Sequence, residues 1–217
     1  YCPYAYVVFA AAAAIESAFL MKDGTVVDVS EQHLFDCANI TCQSNPTNST
    51  LALIPPQLII NQAMLLAINQ TKTVGVLSEQ TRPWSGNKNA TNCPTYPPGA
   101  PIIKISSSQN VSYSSCSDIS SALVSGPLAV YVDTTNWMFY GSGIVSNCGG
   151  SLPSNYVLLV GVDSTAWKLK GIFGSGWGES GYIRLAYGNT CFLCNPLRTY
   201  RAFPPLNVTI PLVRPIA

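Results

Sequence analysis

The residues of this chain with the greatest capacity for chemistry are its eight cysteines and its single histidine, His33. A cysteine thiolate acts as a nucleophile beside a proton-carrying imidazole, binds metal ions, or pairs with a second cysteine in a disulfide. One Cys-x-x-Cys pair is present, Cys191 and Cys194, and it lacks the second pair or neighbouring histidines of a zinc site. The even number of cysteines therefore predicts disulfides, and neither a metal nor a cofactor is expected.

Motifs for N-linked glycosylation accompany the cysteines. One such motif arises by chance, but six in a cysteine-rich chain favour a secreted glycoprotein, extracellular or in the lumen of the secretory or lysosomal system. Glycans would also supply the hydration that the charged residues, only 10% of the chain, do not. The acceptor residues of the six motifs are Asn39, Asn48, Asn69, Asn89, Asn110 and Asn207.

The composition excludes several other classes of function. The formal net charge is +1 and no cluster of Lys or Arg occurs, so electrostatic binding of nucleic acid is not expected. No apolar run reaches the roughly 18 residues that a membrane-spanning helix needs. The Gly-x-Ser-x-Gly motif of serine hydrolases is absent, and the ten acidic residues are scattered without an evident carboxylate pair.

Helices are predicted in the first half of the chain and strands in the second. An alanine-rich apolar run predicts a buried helix over 6–22, which Gly24 would end. Ser30 is a good N-cap for a short helix over 31–36, and apolar residues at helical spacing predict a third helix over 57–69. This order indicates an α+β protein. Beyond residue 101 we predict a helix over 116–125 and strands over 102–106, 128–133, 156–163, 167–173 and 182–186.

Three passages within these elements carry long motifs. Residues 30–37 read Ser-Glu-Gln-His-Leu-Phe-Asp-Cys, and residues 174–184 read Gly-Ser-Gly-Trp-Gly-Glu-Ser-Gly-Tyr-Ile-Arg. Residues 126–130 read Gly-Pro-Leu-Ala-Val and follow the predicted short helix. These passages resemble the papain-like cysteine proteases of the papain and cathepsin type, over most of the chain. The resemblance implies a helical left half and an antiparallel, β-barrel-like right half, with a cleft between them.

The same resemblance implies a single domain over 1–217. A mainly helical subdomain would cover about 1–100, a β-rich subdomain about 101–203, and a Pro-rich C-terminal arm would follow at 204–217. The arm reads either as a linker or as an extended segment that docks on a neighbouring chain, because alternating apolar residues favour strand addition.

Where the resemblance places the catalytic residues, the side chains differ from those of the family. The nucleophilic cysteine corresponds to Tyr6, the histidine to Asn155, and the asparagine that orients the histidine to Gly171. The tryptophan that shields this asparagine corresponds to Phe173. A phenol with a pKa of about 10 is a poor nucleophile, asparagine does not carry a proton, and glycine has no side chain. The resemblance therefore implies a catalytically inactive homologue, a pseudoprotease.

Further features follow from the resemblance. It places His33 on the exposed face of the second helix. The family's glycine-containing turn, which contacts the substrate backbone, corresponds to Cys42-Gln43-Ser44-Asn45-Pro46, and Tyr4 and Tyr6 would add bulk at the cleft floor. We therefore expect a filled or reshaped cleft rather than a peptide receptor. Although eight cysteines alone allow about 105 pairings, the implied disulfides are Cys2–Cys42, Cys37–Cys93 and Cys148–Cys191, with Cys116–Cys194 as the remaining pair.

Two functions stay open at the level of sequence. The first is a non-catalytic secreted glycoprotein that uses the protease fold as a structural or binding module. It would act with protein partners or by self-assembly through the C-terminal arm and cleft, and it could belong to an extracellular assembly. The alternative is a peptidase-related enzyme that a partner chain completes, or one that uses unrecognised chemistry. No nucleic acid and no membrane span are expected in either case.

Overall fold

The computed structural model describes residues 5–38, 56–86, 93–111, 113–194 and 199–203, with side chains described outside 56–59 and 199–203. These residues form helices and strands. The helices are α1 (Tyr6–Asp23), α2 (Glu31–Cys37), α3 (Pro56–Thr73) and α4 (Cys116–Leu123), with 3-10 turns at Trp137–Phe139 and Thr190–Phe192. The strands are β1 (Ser107–Val111), β2 (Leu128–Val132), β3 (Ile144–Val145), β4 (Asn155–Val162), β5 (Ala166–Lys170), β6 (Tyr182–Ala186) and β7 (Thr199–Phe203).

Helix α1 is central to the fold because its sequence is apolar on every side. A run of five alanines, which have the highest helix propensity, occupies its middle and is buried throughout. The small side chains allow α1 to pack against α2 and α3 on one side and against β4 and β7 on the other. The helix ends at Gly24, which adopts a left-handed conformation (φ 77°) and donates its N–H to the Leu20 carbonyl.

The strands form one seven-stranded sheet in the order β1-β7-β2-β4-β5-β6-β3. All neighbours pair antiparallel except β3 and β6, which are parallel. Strand β2 is buried at every position, so its alternating side chains serve two cores. Ala129 and Tyr131 join the core shared with α1, α2 and α3, whereas Leu128, Val130 and Val132 join the core on the opposite face, which Ile119 of α4 completes.

The prediction of a strand over 102–106 was wrong. Ile103 and Ile105 are buried there, as the alternation predicts, but only Ile103 pairs, through a single bridge to Val76. The regular strand begins later, at Ser107, because its hydrogen-bonding partner β7 lies opposite Ser107–Val111. Helix α3 also continues four residues beyond its predicted end, and β5 ends at Lys170 rather than at 173.

Three disulfides connect these elements. Cys37 at the end of α2 is joined to Cys93, Cys116 at the start of α4 is joined to Cys194, and Cys148 is joined to Cys191. These are three of the four pairs expected from the resemblance. The fourth, Cys2–Cys42, lies outside the described residues, as do Tyr4, the turn at 42–46 and the arm at 204–217. Within the described part, none of the helices combines the length and apolar character that a bilayer crossing requires.

Candidate functional site

The position expected for the nucleophile lies at the N-terminus of α1. Tyr6 is the first residue of the helix, and Ala5, which precedes it, makes no side-chain capping bond. The Tyr6 side chain is 37% exposed. A phenol at this place offers an aromatic ring and a weakly acidic hydroxyl, and it offers no thiolate.

The position expected for the histidine is the first residue of β4. The Asn155 side-chain amide donates a hydrogen bond of 3.1 Å to the Thr134 hydroxyl. Thr134 is held in turn, because its backbone N–H donates to the Ser154 hydroxyl at 2.9 Å. Asn155 therefore belongs to a neutral polar network between β4 and the residues that follow β2, and this network contains no group that takes up a proton near neutral pH.

The position expected for the orienting asparagine has no room for a side chain. A Cβ atom on Gly171 would clash with the Trp177 ring, lying 2.7 Å from its Cε3 atom, and would lie 3.2 Å from the Gly181 carbonyl oxygen. The Gly171 N–H donates to the same carbonyl at 2.8 Å, which fixes the backbone there. Trp177 is itself anchored, since its indole N–H donates to the Trp137 carbonyl at 3.0 Å. Phe173 packs against Trp177 with ring centroids 4.9 Å apart.

A cavity of about 200 Å³ lies between α1 and the sheet, beside Gly171. The helix contributes small or apolar residues to one wall, and the alanines leave the space open. β4 and the segment after β5 form the other wall. None of the lining residues is a cysteine, serine, threonine or histidine. They are Phe9, Ala10, Ala13, Glu16, Glu31, Val157, Leu158, Lys170, Gly171, Ile172 and Gly174.

The charged groups of this cavity are two carboxylates and one ammonium. Glu16 accepts the Val29 N–H at 3.0 Å, and its other oxygen lies 3.8 Å from the Lys170 ammonium. Burial raises the pKa of Glu16, against the opposing effect of these partners. Burial also raises the pKa of Glu31 to about 7, and the nearby carboxylates of Glu16, Glu79 and Asp28 add to the rise. Glu31 is thus a carboxyl group that changes charge near neutral pH.

Sequence reasoning missed this pair. Glu16 and Glu31 are 15 positions apart in the chain, and they share a cavity only because α1 and α2 pack together. One signal was available: Glu16 is the single acidic residue in the otherwise apolar first sixteen positions of the chain. An ionisable residue in a buried apolar helix usually has a role.

His33 does not lie on the surface, so the expectation of an exposed histidine was wrong. Its side chain is fully buried, because the Cys37–Cys93 disulfide brings residues 93–96 over this face of α2 and the Tyr96 ring covers the imidazole. Among the described residues, His33, Cys37 and Cys93 form the one cluster with metal-ligating atoms close together. Both sulfurs are engaged in the disulfide, so the group offers one imidazole and no thiolate to a metal ion.

Two of the six predicted glycosylation sites lie in the described part of the chain, and both are exposed. Asn69 lies on the outer face of α3, and Asn110 lies on β1, at an edge of the sheet. Asn39, Asn48, Asn89 and Asn207 lie outside the described residues. The accessible placement of Asn69 and Asn110 is compatible with glycans at both sites.

Comparison with known proteins gives a consistent result. The model of the family described as papain family cysteine protease matches residues 2–198. Cysteine proteinase A of Leishmania mexicana is 32% identical over 192 residues, which cover 86% of this chain and 51% of that protein. Silicatein of Petrosia ficiformis is 31% identical over 222 residues, which cover 94% of this chain and 57% of that protein. The chain thus spans about half the length of these curated relatives.

A solved structure supports the same conclusion about architecture. The bromelain protease of Ananas comosus, in complex with the inhibitor E64, matches with a TM-score of 0.69 at 26% identity. The match covers 93% of this chain and 89% of that one. The papain-like α+β fold predicted from the sequence motifs is therefore confirmed.

Proposed function

Because the chain belongs to the papain family of cysteine proteases, we propose that it is a catalytically inactive member, a secreted glycoprotein that uses the protease fold as a structural or binding module. The observation that carries the proposal is the packing at Gly171. The Trp177 ring fills the space that an orienting side chain would need. Restoring an asparagine at position 171 would therefore require the neighbouring ring to move as well.

The other two positions support the same proposal. Tyr6 has no thiolate, and Asn155 has no titratable nitrogen. The Asn155 amide also donates a hydrogen bond to the Thr134 hydroxyl. A cysteine protease needs a nucleophile and a proton carrier together, and removal of either one in a comparable triad costs several orders of magnitude in rate. With three roles changed at once, we expect no peptidase activity.

The proposed binding role is supported by an apolar surface around Trp177. The rings of Tyr140 and Phe173 pack on Trp177, and Phe173 is 43% exposed. Met138 and Phe139, which precede Tyr140, are 62% and 81% exposed. Exposed aromatic residues and methionine are enriched where proteins associate, and the low charge of the chain favours association in the same way.

Secretion and glycosylation belong to the same proposal. Three disulfides in the described residues fit an oxidising compartment. Digestion of the native glycoprotein with an N-glycosidase should lower its mass and leave a deamidated Asn69 and Asn110, which peptide mass spectrometry detects. Unmodified asparagine at all six sites in native material would contradict secretion through the glycosylating pathway.

A thiol-directed epoxide of the E64 type tests the absence of a nucleophile. The oxidised protein, without added reductant, should not be labelled, whereas the Tyr6→Cys variant serves as a control for access of the probe to the cleft. Covalent labelling of the unmodified protein at a single site would contradict the proposal. Light scattering on native material tests assembly, and a monodisperse monomer at high concentration would count against it.

A second candidate, an enzyme with unrecognised chemistry, is favoured by one observation. The Glu31 carboxyl, with a pKa of about 7, fits a general acid or base at neutral pH, and it shares a cavity with Glu16. In this case any turnover measured with the purified protein should be lost in Glu31→Gln. Turnover that survives this substitution would remove the carboxylate pair from consideration.

A further inference from the structure

The only histidine of the chain is buried against a disulfide. The Nε2 atom of His33 lies 3.5 Å from Sγ of Cys37, which is bonded to Cys93. The imidazole also lies against the Tyr96 ring, with centroids 5.1 Å apart in an edge-on arrangement. The other ring nitrogen, Nδ1, is buried and has no hydrogen-bond partner among the residues that the structure describes. Buried polar atoms nearly always have partners, so this imidazole needs an explanation beyond packing.

The contact with the disulfide favours one tautomer of the imidazole. A disulfide sulfur carries no hydrogen, so the contact with Cys37 is a hydrogen bond only if Nε2 carries the proton and donates it. Nδ1 then holds a lone pair. The pKa of His33 is lowered to about 4, chiefly by burial; the Asp36 carboxylate opposes this effect and the Arg82 guanidinium adds to it. At neutral pH the disulfide therefore faces a neutral imidazole whose N–H points at Cys37.

The two cysteines of this disulfide differ in exposure. Cys37 is 7% exposed, whereas Cys93, in the segment between α3 and β1, is an exposed residue. We therefore expect a thiolate from solvent to approach the Cys93 sulfur rather than the Cys37 sulfur. Attack on Cys93 makes Cys37 the leaving group, and Cys37 is the sulfur that contacts the imidazole N–H.

We propose that Cys37–Cys93 is a site of thiol–disulfide exchange, in which His33 stabilises the departing Cys37 thiolate. The reacting partner is a thiol, either a small monothiol or a cysteine of a second protein. The proposal goes beyond the proposed structural role and does not depend on it, because the exchange uses none of the cleft residues.

The step balances as follows. The attacking thiolate forms a bond to Cys93 Sγ while the bond between Cys93 Sγ and Cys37 Sγ breaks, and Cys37 leaves with the electron pair of that bond. The His33 N–H donates to the new thiolate, and the proton that the attacking thiol released to solvent returns to Cys37. The products are a mixed disulfide at Cys93 and a free Cys37. A second equivalent of thiol attacks the mixed disulfide, so the small thiol is oxidised and both cysteines are reduced.

A hydrogen bond outside the disulfide also fixes the segment that carries Cys93. The Tyr96 hydroxyl donates to the Gly75 carbonyl at 2.8 Å, which holds the loop that carries Cys93 after the disulfide opens. The other two described disulfides lack this arrangement, since the chain has no second histidine. Both sulfurs of Cys148–Cys191 belong to buried residues, which makes that pair a matched internal control.

The experiment uses the oxidised, full-length chain. It is incubated with glutathione over a range of times, quenched with iodoacetamide and mapped by peptide mass spectrometry. We expect glutathione on Cys93 and carbamidomethyl on Cys37, with this pair opening about tenfold or more faster than Cys148–Cys191. Equal opening rates for the two disulfides, or glutathione found mainly on Cys37, would overturn the proposal.

Variants separate the role of His33 from simple exposure of Cys93. His33→Gln and His33→Phe remove the imidazole, and each should slow the opening of Cys37–Cys93 by about tenfold, because a leaving thiolate of higher pKa departs more slowly. Tyr96→Phe keeps the ring over the imidazole and should open at the rate of the unchanged protein. If a variant loosens the fold, Cys148–Cys191 also opens faster, which identifies that variant as uninformative about rate and leaves the other to decide. Opening of Cys37–Cys93 at the unchanged rate in a folded His33 variant would refute the role of the imidazole.

Discussion

Two groups of residues, a scaffold segment and the positions that the resemblance assigns to catalysis, differ in what they contribute to the molecule. The scaffold segment, residues 174–184, retains a dense set of contacts: the Glu179 carboxylate accepts from the Gly143 N–H and from the Arg184 guanidinium, and Trp177 donates to Trp137. The vacant positions are Tyr6, Asn155 and Gly171, which the resemblance assigns to the catalytic residues and which we propose to be inactive. The two groups are in contact, because Trp177 occupies the space beside Gly171. We propose that the first group holds the fold and that the second does not support the chemistry of a cysteine protease.

The largest expected effect is in the scaffold segment. Trp177→Ala removes a ring that packs on Trp137, Tyr140 and Phe173 and that donates a hydrogen bond, so we expect a loss of about 3 kcal/mol in the free energy of unfolding. Urea unfolding measures it. Phe173→Ala is the matched control, because this exposed ring should contribute only about 1 kcal/mol. Equal losses would mean that Trp177 is not the anchor of the segment.

The next effect tests whether the two groups are packed together. Gly171→Ala places a methyl group against the Trp177 ring, and we expect it to destabilise the fold by about 2 kcal/mol, as overpacking usually does. Gly176→Ala is the control, since a Cβ atom there meets nothing within 4 Å, and it should change stability by less than about 0.5 kcal/mol. A neutral Gly171→Ala would show that the space beside Trp177 is free.

A third comparison uses pH. The pKa of Glu31 is raised to about 7 from an ordinary 4.5, so its contribution to stability is complete below about pH 4.5 and is lost as the pH rises through about 7. Allowing for solvent screening, the loss should be about 1–2 kcal/mol, and Glu31→Gln should remove it. Thermal unfolding from pH 4 to 8 measures the effect. A profile of the Glu31→Gln variant parallel to that of the unchanged protein would contradict the assignment.

Glu179 provides the opposite case. The Arg184 guanidinium and the Gly143 N–H lower the pKa of Glu179 to about 2, so its contribution is present above about pH 4.5 and is lost as the pH falls towards 2. Glu179→Gln should therefore lower the stability at neutral pH and flatten the loss that the unchanged protein shows as the pH falls towards 2.

The smallest effect is expected at the first vacant position. Tyr6 is 37% exposed at the start of α1, so Tyr6→Phe should change the free energy of unfolding by less than about 0.5 kcal/mol. A loss in the free energy of unfolding comparable to that of Trp177→Ala would mean that Tyr6 anchors the fold. The scaffold segment and the vacant positions would then not differ in their contribution to stability.

Some parts of this structure could be predicted from sequence because local signals decide them. Alanine propensity and Gly24 predicted α1 to within one residue of its observed end, and Ser30 caps α2 as expected, accepting from the His33 N–H. The prediction of a strand over 102–106 was wrong because burial alternates there, whereas pairing with the neighbouring strand β7 begins only at Ser107. Alternation reports which face is buried, and pairing depends on distant residues.

The candidate sites were less predictable, because both depend on contacts between distant parts of the chain. The burial of His33 depends on Cys93 and Tyr96, about sixty residues further along, which cover an otherwise exposed face of a short helix. The raised pKa of Glu31 depends first on its burial, and packing of α2 against α1 adds the effect of the nearby Glu16 carboxylate. The clash at Gly171 depends on how closely the Trp177 ring approaches, and sequence motifs do not report such distances.

The measurement that tests the central claim most directly is cleavage of a broad peptide library by the purified, oxidised protein. Papain-type substrates should be included, with mass spectrometry of the products after a day at pH 5 and at pH 7. The account predicts no product above the level of a heat-treated sample. Reproducible cleavage that disappears in Asn155→Ala or Tyr6→Phe would show that the vacant positions still carry chemistry and would contradict the account.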